Sequence, residues 1–243
     1  MSKRRSHQVQ RMPAASPAPL PPSPAGQLLR LAILGVAVAA AVTFVHWPVL
    51  SAQAISFDDE ATFIENPLVQ NPGWNSVRRF FGEVWISSVV RGYYRPLTLT
   101  SLMLDWAMGG RPDDLRAFHR TSLGLHVGCT LLLMLLCYQL FRRPVVAALV
   151  ALLFGLHPLT VEPVAWVMER KTVLAAFFAF ATFCAYVRFT RTCRRRWYVF
   201  ALILYLFSLL SKPTTTPLPI FLLLIDYWPL RRFNRRAILE KIP

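Results

Sequence analysis

The sequence predicts an all-α polytopic membrane helical bundle of about six transmembrane helices, with interfacial helices in its first outer loop. Three observations carry this prediction. Of the 243 residues, 55% are hydrophobic, the mean hydropathy is +0.42, and long apolar runs recur between positions 28 and 230 with arginine clusters at their edges. A chain of this length could make one or two soluble domains, but runs of this kind need lipid around them. The net charge of +15 raises nucleic acid as a partner. The arginines, however, flank apolar runs and form no stripe interleaved with aromatics, which is the pattern of topology signals, so no nucleic-acid partner is expected. Cys129, Cys137, Cys184 and Cys193 lie in or at the end of apolar segments. Their spacing suits neither a zinc site nor a disulfide framework, and they read as packing or lipid-facing residues.

Residues 1–27 form a basic tail rich in Pro, Ala and Ser, too polar to bury a core, and are expected to be disordered on the cytoplasmic side. The first span covers 28–50. Ser51-Ala52-Gln53-Ala54 has the small-x-small form of a signal-peptide cleavage site, a rival reading that leaves the later spans in the membrane either way. Those spans are predicted at 118–141, 144–161, 172–189, 197–211 and 214–230, the shorter ones borrowing flanking residues to cross a hydrocarbon core of ~30 Å.

Segment 96–110 decides the topology, because it is short, carries Asp105 and ends in Gly-Gly. If it crosses, the arginines at 142–143, 188–196 and 231–236 all fall outside, which inverts the positive-inside rule three times. If it lies on the outer surface as an interfacial or re-entrant helix, all three clusters fall inside with the basic tail. The inside then holds five Lys/Arg up to Arg30, two at 142–143, five over 188–196 and five over 231–241, against one acid, Glu240. Residues 51–120 hold eight acids against seven Arg. The prediction is therefore a multi-pass inner-membrane protein with both termini cytoplasmic and 51–117 outside.

That outer loop opens with Ser56-Phe57-Asp58-Asp59-Glu60. Three successive carboxylates make an ordinary solvated turn in most settings. Beside low-dielectric lipid their proton affinities are raised or split, which suits a general base or a cation site. Residues 74–85 alternate apolar and charged side chains at helical spacing, as in a helix lying on the membrane surface with Arg78 and Arg79 near lipid phosphates. A second outer loop, 157–171, holds His157, Glu162, Arg170 and Lys171. Positive charge on the outer side runs against the inside bias and calls for a partner; it either flanks a helix or meets an anion. Phosphate suits the second role, since Arg grips it bidentately and Lys acts as a point charge. Lys212, at the outer end of the fifth span, has the same two readings.

The ordered motifs F-D-D-E, E-N-P-L-V-Q, Y-R-P-L-T, L-D, L-H, H-P-L-T-V-E-P-V-A-W-V-x-E-R-K, S-K-P and L-L-L-I-D-Y-W-P-L resemble the N-terminal membrane half of bacterial GT-C-type glycosyltransferases with tetratricopeptide repeats. These are similar in turn to the eukaryotic protein O-mannosyltransferases that combine transmembrane helices with such repeats. The resemblance covers roughly residues 28–243. It implies a GT-C-like transmembrane domain, a polyprenyl-phosphate-linked sugar donor and an acidic base after the first span. Carried onto this chain, Asp58 matches the first acid of the family's acidic pair and would deprotonate an acceptor hydroxyl, with Asp59 and Glu60 orienting it or holding a cation. Arg170, Lys171 and Lys212 would meet the lipid phosphate, and His157 and Glu162 match further motif positions. No metal site is assigned and no cofactor is certain, a divalent cation being left open. Two departures are Ser122 and Cys129, where the pattern expects Asn beside His119 and His126.

An Arg/Lys clamp on the phosphate and a single carboxylate base would drive sugar transfer by direct displacement with inversion. Two other classes of function compete: a noncatalytic membrane anchor or assembly scaffold, and a transporter of a lipid-linked sugar. The resemblance also implies further membrane helices beyond Pro243, and nothing here has the roughly 34-residue period of tetratricopeptide units. These 243 residues alone are accordingly not expected to make a working transferase; a second chain or a C-terminal half would complete it.

Overall fold

A computed structural model describes residues 24–53, 63–82 and 94–241. Their secondary structure is helical, without a strand among the described residues. Helix α1 (Pro24–His46) runs into a 3-10 turn, Trp47–Ser51. The outer-loop helices α2 (Pro67–Gln70), α3 (Trp74–Gly82) and α4 (Pro96–Ala107) follow. The rest of the bundle is α5 (Arg116–Phe141), α6 (Pro144–Gly155), α7 (Val161–Ala165), α8 (Arg170–Thr192), α9 (Arg195–Ser211), α10 (Leu218–Tyr227) and α11 (Arg235–Leu239).

Among the described residues, three stretches are long and apolar enough to cross a membrane: Ala25–Ser51, Arg116–Phe141 and Val167–Thr192. A fourth crossing is available if α6 and Pro158–Ala165, bent by 60°, form one broken span. The continuous helix expected over 144–161 breaks because Pro158 has no N–H to extend α6 and His157 starts a new turn, its Nδ1 accepting from the Leu159 amide at 3.2 Å. Prolines also confine α10, with Pro213 opening a 3-10 turn, Pro217 at the cap and Pro219 in the first turn. The 10 residues of α10 and the 12 of α4 rise ~15 and ~18 Å, well under the ~30 Å core. The length of α4 fits a segment that does not cross alone. Tight reversals join α5 to α6 and α8 to α9 through left-handed residues, Arg142 (φ 59) and Cys193 (φ 51), that end each helix before the next begins.

Apolar packing among the described residues falls into five clusters, three of them larger than the others. Val38 and Val42 of α1 lie on Ala147, Ala148 and Ala151 of α6 and Met134 of α5, small residues letting the helices approach closely. Ala185 and Tyr186 of α8 pack with Ala201 and Leu204 of α9 and Leu222 of α10. At the other end of α8, Phe63, Phe80, Leu99, Leu102, Phe118 and Val167 form a core under α2, α3 and α4. Phe44, Leu153 and Ile220 point outward, as lipid-facing residues do. On α3, Phe80 is buried while Trp74 is 72% exposed, the two-faced character expected over 74–85. Cys129, Cys137 and Cys184 are buried, Cys193 is exposed, and all four are free thiols.

A tight crossing lies at Gly155, where a Cβ would stand 2.6 Å from Val42 Cγ2 and 2.9 Å from Thr130. Gly155→Val is expected to push α6 from α1 and α5 and destabilise the bundle by about 1–3 kcal/mol. Gly124 has nothing within 4 Å of its would-be Cβ, so Gly124→Ala should be neutral. Thermal unfolding in detergent separates them, and equal midpoints for both variants would refute the close-packing argument.

Candidate functional site

Of the sequence-predicted residues, Arg170, Lys171 and Lys212 lie at the end of the bundle where α8 begins. Pro96 starts α4, and the helix lays Thr98 and Asp105 inward. Thr98 Oγ1 donates to the Ser211 carbonyl of α9 at 3.0 Å, and Asp105 Oδ1 accepts from Thr121 Oγ1 of α5 at 2.6 Å. Asp105 Oδ2 lies 2.6 Å from Arg170 Nη1, and both side chains are almost wholly buried, at 1% and 0% exposure. The guanidinium also donates from Nε to Ser122 Oγ and from Nη1 to Ser101 Oγ, each at 2.9 Å, and from Nη2 to the Phe118 carbonyl. Arg170, expected to grip a phosphate, is thus already committed, and it ties α4 and α5 to the start of α8. Among the residues that reasoning on the sequence left unassigned, Ser101, Thr121 and Asp105 join it. Asp105 carried a signal, since a lone carboxylate in an apolar run needs a partner.

One residue on, Lys171 turns the other way. Its Nζ lies 3.0 Å from Glu169 Oε1, while Lys212 Nζ lies 3.5 Å from Glu169 Oε2. Lys212 Nζ also donates to Thr172 Oγ1 at 2.6 Å, and Thr172 Oγ1 donates to Glu169. Two ammonium groups and a hydroxyl therefore surround one carboxylate, with a surplus of positive charge. Lys212 keeps 20% of its side chain exposed against 9% for Lys171. His157 and Glu162 are exposed and are not drawn into this cluster; His157 serves its own turn, its carbonyl accepting from Thr160 Oγ1 at 2.6 Å.

The acidic motif of Asp58, Asp59 and Glu60 lies outside the described residues. The chain on either side of it is placed at this end. His119 Nε2 donates to the Ala52 carbonyl at 3.1 Å, and the Phe63 ring packs on the Phe118 ring at 5.0 Å between centroids. Both flanks thus meet the turn of α5 whose Phe118 carbonyl receives Arg170. A polar groove of about 620 Å³ opens there, lined by Ser51, Gln53, Asp113 and Asp114. The Asp114 carboxyl is held down at about 2 by hydrogen bonds from the Arg116 side chain and backbone, which makes it a poor proton acceptor at neutral pH. With Asp105 buried against Arg170 and Glu169 between two lysines, three acids at this end are already occupied. On the far side of α4, Leu97, Leu104, Met108, Leu174 and Phe178 wall an apolar cleft of about 250 Å³ with Ser101, Thr121 and Asp105 at its base.

His119 and His126, seven apart on α5, are both buried. His126 Nε2 donates to the Gly155 carbonyl at 3.0 Å and its ring sits 4.9 Å from that of His46, a packing arrangement. No group of three or more His, Cys, Asp or Glu among the described residues could hold a metal ion.

A second buried polar network closes the opposite end. Asp226 of α10 accepts from Tyr186 Oη at 2.6 Å and from Lys241 Nζ at 2.7 Å, with Arg232 Nε 3.6 Å from its other oxygen. Arg170 and Tyr186 stand 16 residues apart on α8, or ~24 Å along the axis. Buried charge thus concentrates near the two ends of α8.

These features define a helical membrane protein with buried polar networks near both ends of α8. No family model matches the chain, and no solved structure matches it. Among curated proteins it is similar to protein O-mannosyl-transferase TMTC1 of Mus musculus, 33% identical over 137 residues, which is 54% of this chain and 14% of that protein. It is also similar to human protein O-mannosyl-transferase TMTC4, 25% identical over 211 residues, 76% of this chain and 28% of that protein. Human TMTC3 is 26% identical over 153 residues, 60% of this chain and 16% of that protein. The chain therefore spans between 14% and 28% of the length of these relatives.

Proposed function

We propose that this chain is part of a GT-C-type membrane glycosyltransferase that moves a sugar from a polyprenyl-phosphate donor to a hydroxyl of a protein or glycan acceptor, on the membrane face where α8 begins. The observation that supports it most is the convergence, at that end, of Lys171 and Lys212 with both flanks of the acidic segment. In this reading Asp58 takes the proton of the acceptor hydroxyl, and the freed oxygen attacks the anomeric carbon. The bond from that carbon to the phosphate oxygen breaks, its electron pair leaving with the polyprenyl phosphate, and the configuration inverts. Lys171 and Lys212 offset the charge gathering on the leaving phosphate, where fixed positive groups lower the barrier most. Arg170 acts as a positioning residue, holding α4 against α5 and α8, and the polyprenyl tail has the apolar cleft beside α4 to follow. Asp59 and Glu60 orient Asp58 or hold a divalent cation.

Buried charge near the ends of α8, with none described at its middle, favours this reading over a transporter, which needs ionisable groups along its path. Lys171→Gln and Lys212→Gln are each expected to lower kcat/KM for polyprenyl-phosphate mannose by about a hundred-fold, with Lys→Arg recovering part of the loss. The assay uses membranes in which the chain is joined by the C-terminal half or second chain expected to complete it. Unchanged kcat/KM in both Gln variants would remove the lysines from the mechanism.

The proposed sidedness puts residues 51–117 and the α8 start outside and the clusters at 142–143 and 188–196 inside. In a cysteine-free background, an impermeant thiol reagent on intact cells should label Asp113→Cys and leave Arg142→Cys untouched. The reverse pattern would invert the topology.

A further inference from the structure

We propose that a groove between α8, α9 and α10 holds one acyl chain of an anionic phospholipid whose phosphate rests against Arg194, Arg195 and Arg196. The groove encloses about 370 Å³ and is walled by Ala201, Leu202, Leu206 and Leu209 of α9, with Tyr186 and Leu222 facing them. Its mouth lies at the opposite end of α8 from Lys171 and Lys212, so its headgroup level is separate from the proposed transfer site, while its inner end at Leu209 stands three residues from Lys212.

Length, level and charge each point to this occupant. From Tyr198 to Leu209 the groove follows 12 residues of α9, ~16 Å of helix, which matches the ~15 Å that one leaflet contributes to a ~30 Å hydrocarbon core. The headgroup level is marked at its mouth. Tyr198 lines the groove, Trp197 precedes it, and Tyr227 and Trp228 at the end of α10 are 68% and 61% exposed; such aromatic rings collect where acyl chains meet headgroups. Just beyond that level stand Arg194, Arg195 and Arg196, all exposed. The two charged residues that line the groove, Glu240 and Lys241, are already paired. Lys241 pairs with Asp226 at 2.7 Å, Glu240 with Arg232 at 2.5 Å, and the Glu240 carbonyl accepts from Tyr198 Oη at 2.9 Å. The three arginines at the start of α9 offer a phosphodiester at this height a cationic surface, and basic clusters beside membrane helices select anionic headgroups.

The test is native mass spectrometry of the delipidated full chain in detergent, titrated with phosphatidylglycerol or phosphatidylcholine of the same acyl chains. Phosphatidylglycerol is expected to bind roughly ten-fold tighter. Combined R194Q, R195Q and R196Q should bring it to the phosphatidylcholine level. Leu206 is 51% exposed along the groove, so Leu206→Trp fills it without disturbing the core and should weaken both lipids. Leu153→Trp, on an outward residue of α6 that is 73% exposed, should change neither. Equal binding of the two lipids by the unaltered chain would overturn the proposal, as would undiminished binding in Leu206→Trp. Polyprenyl phosphate displacing phosphatidylglycerol from the unaltered chain, with Leu206→Trp abolishing that binding, would reassign the groove to the donor and overturn it too.

Discussion

Arg170→Met is expected to destabilise the folded bundle by about 3–5 kcal/mol, because it leaves the Asp105 carboxylate buried without its counter-charge. The loss reaches further than one pair. Ser101, Ser122 and the Phe118 carbonyl all receive the same guanidinium, so α4 loses its main polar tie to α5 and α8 at once. Asp105→Leu combined with Arg170→Met removes both charges and should recover much of the loss, since apolar replacement of a buried ion pair is often neutral. Thermal unfolding in detergent, read by near-UV circular dichroism, distinguishes the single variant from the double. If Arg170→Met unfolds at the temperature of the unaltered chain, or if the double variant is as unstable as the single, then the pair is not what holds α4 in place.

That pair also shows how far the sequence can be read. Spans α1, α5 and α8 are legible because each is a long apolar run ended by arginine or proline, and hydropathy measures length and apolarity directly. The break of α6 is not, because Pro158 acts through a missing N–H and hydropathy still sees an apolar stretch across it. Asp105 and Arg170 each carried half of a signal, a carboxylate in an apolar helix and a cation on the side where acids prevail. Their partnership depends on α4 folding back over α5 and α8, and no periodicity encodes that. Lys171 and Lys212 were readable as charges at one end of the bundle. That they share Glu169, and that Arg170 faces inward while Lys171 does not, follows from the 100° step between neighbours on a helix together with the position of α4. His157 and Glu162 sit in the same motif as Arg170 yet remain at the surface, because the turn at Pro158 carries them away from the α4 contact.

In the completed enzyme, Asp58→Asn is expected to lower kcat for transfer from polyprenyl-phosphate mannose by about 10²–10⁴-fold, the usual contribution of a positioned base, while leaving membrane insertion intact. The amide keeps the size of the side chain and removes its ability to accept the hydroxyl proton, so donor KM should move little and the loss should lie in turnover. The reason for choosing this acid is partly subtractive. Asp105 is sealed in its ion pair, Glu169 is held by two lysines, and the Asp114 carboxyl stays charged down to about pH 2 beside Arg116. Ala52, bonded to His119, and Phe63, packed on Phe118, flank the acidic motif in sequence and stand at the end where the lysines cluster. Asp59→Asn serves as the neighbouring control and should reduce turnover less. Near-normal turnover in Asp58→Asn with a dead Asp59→Asn would shift the base by one residue. If both variants turn over normally while the lysine variants are impaired, the proton must go elsewhere, and direct displacement assisted by Asp58 is refuted even though the phosphate clamp stands.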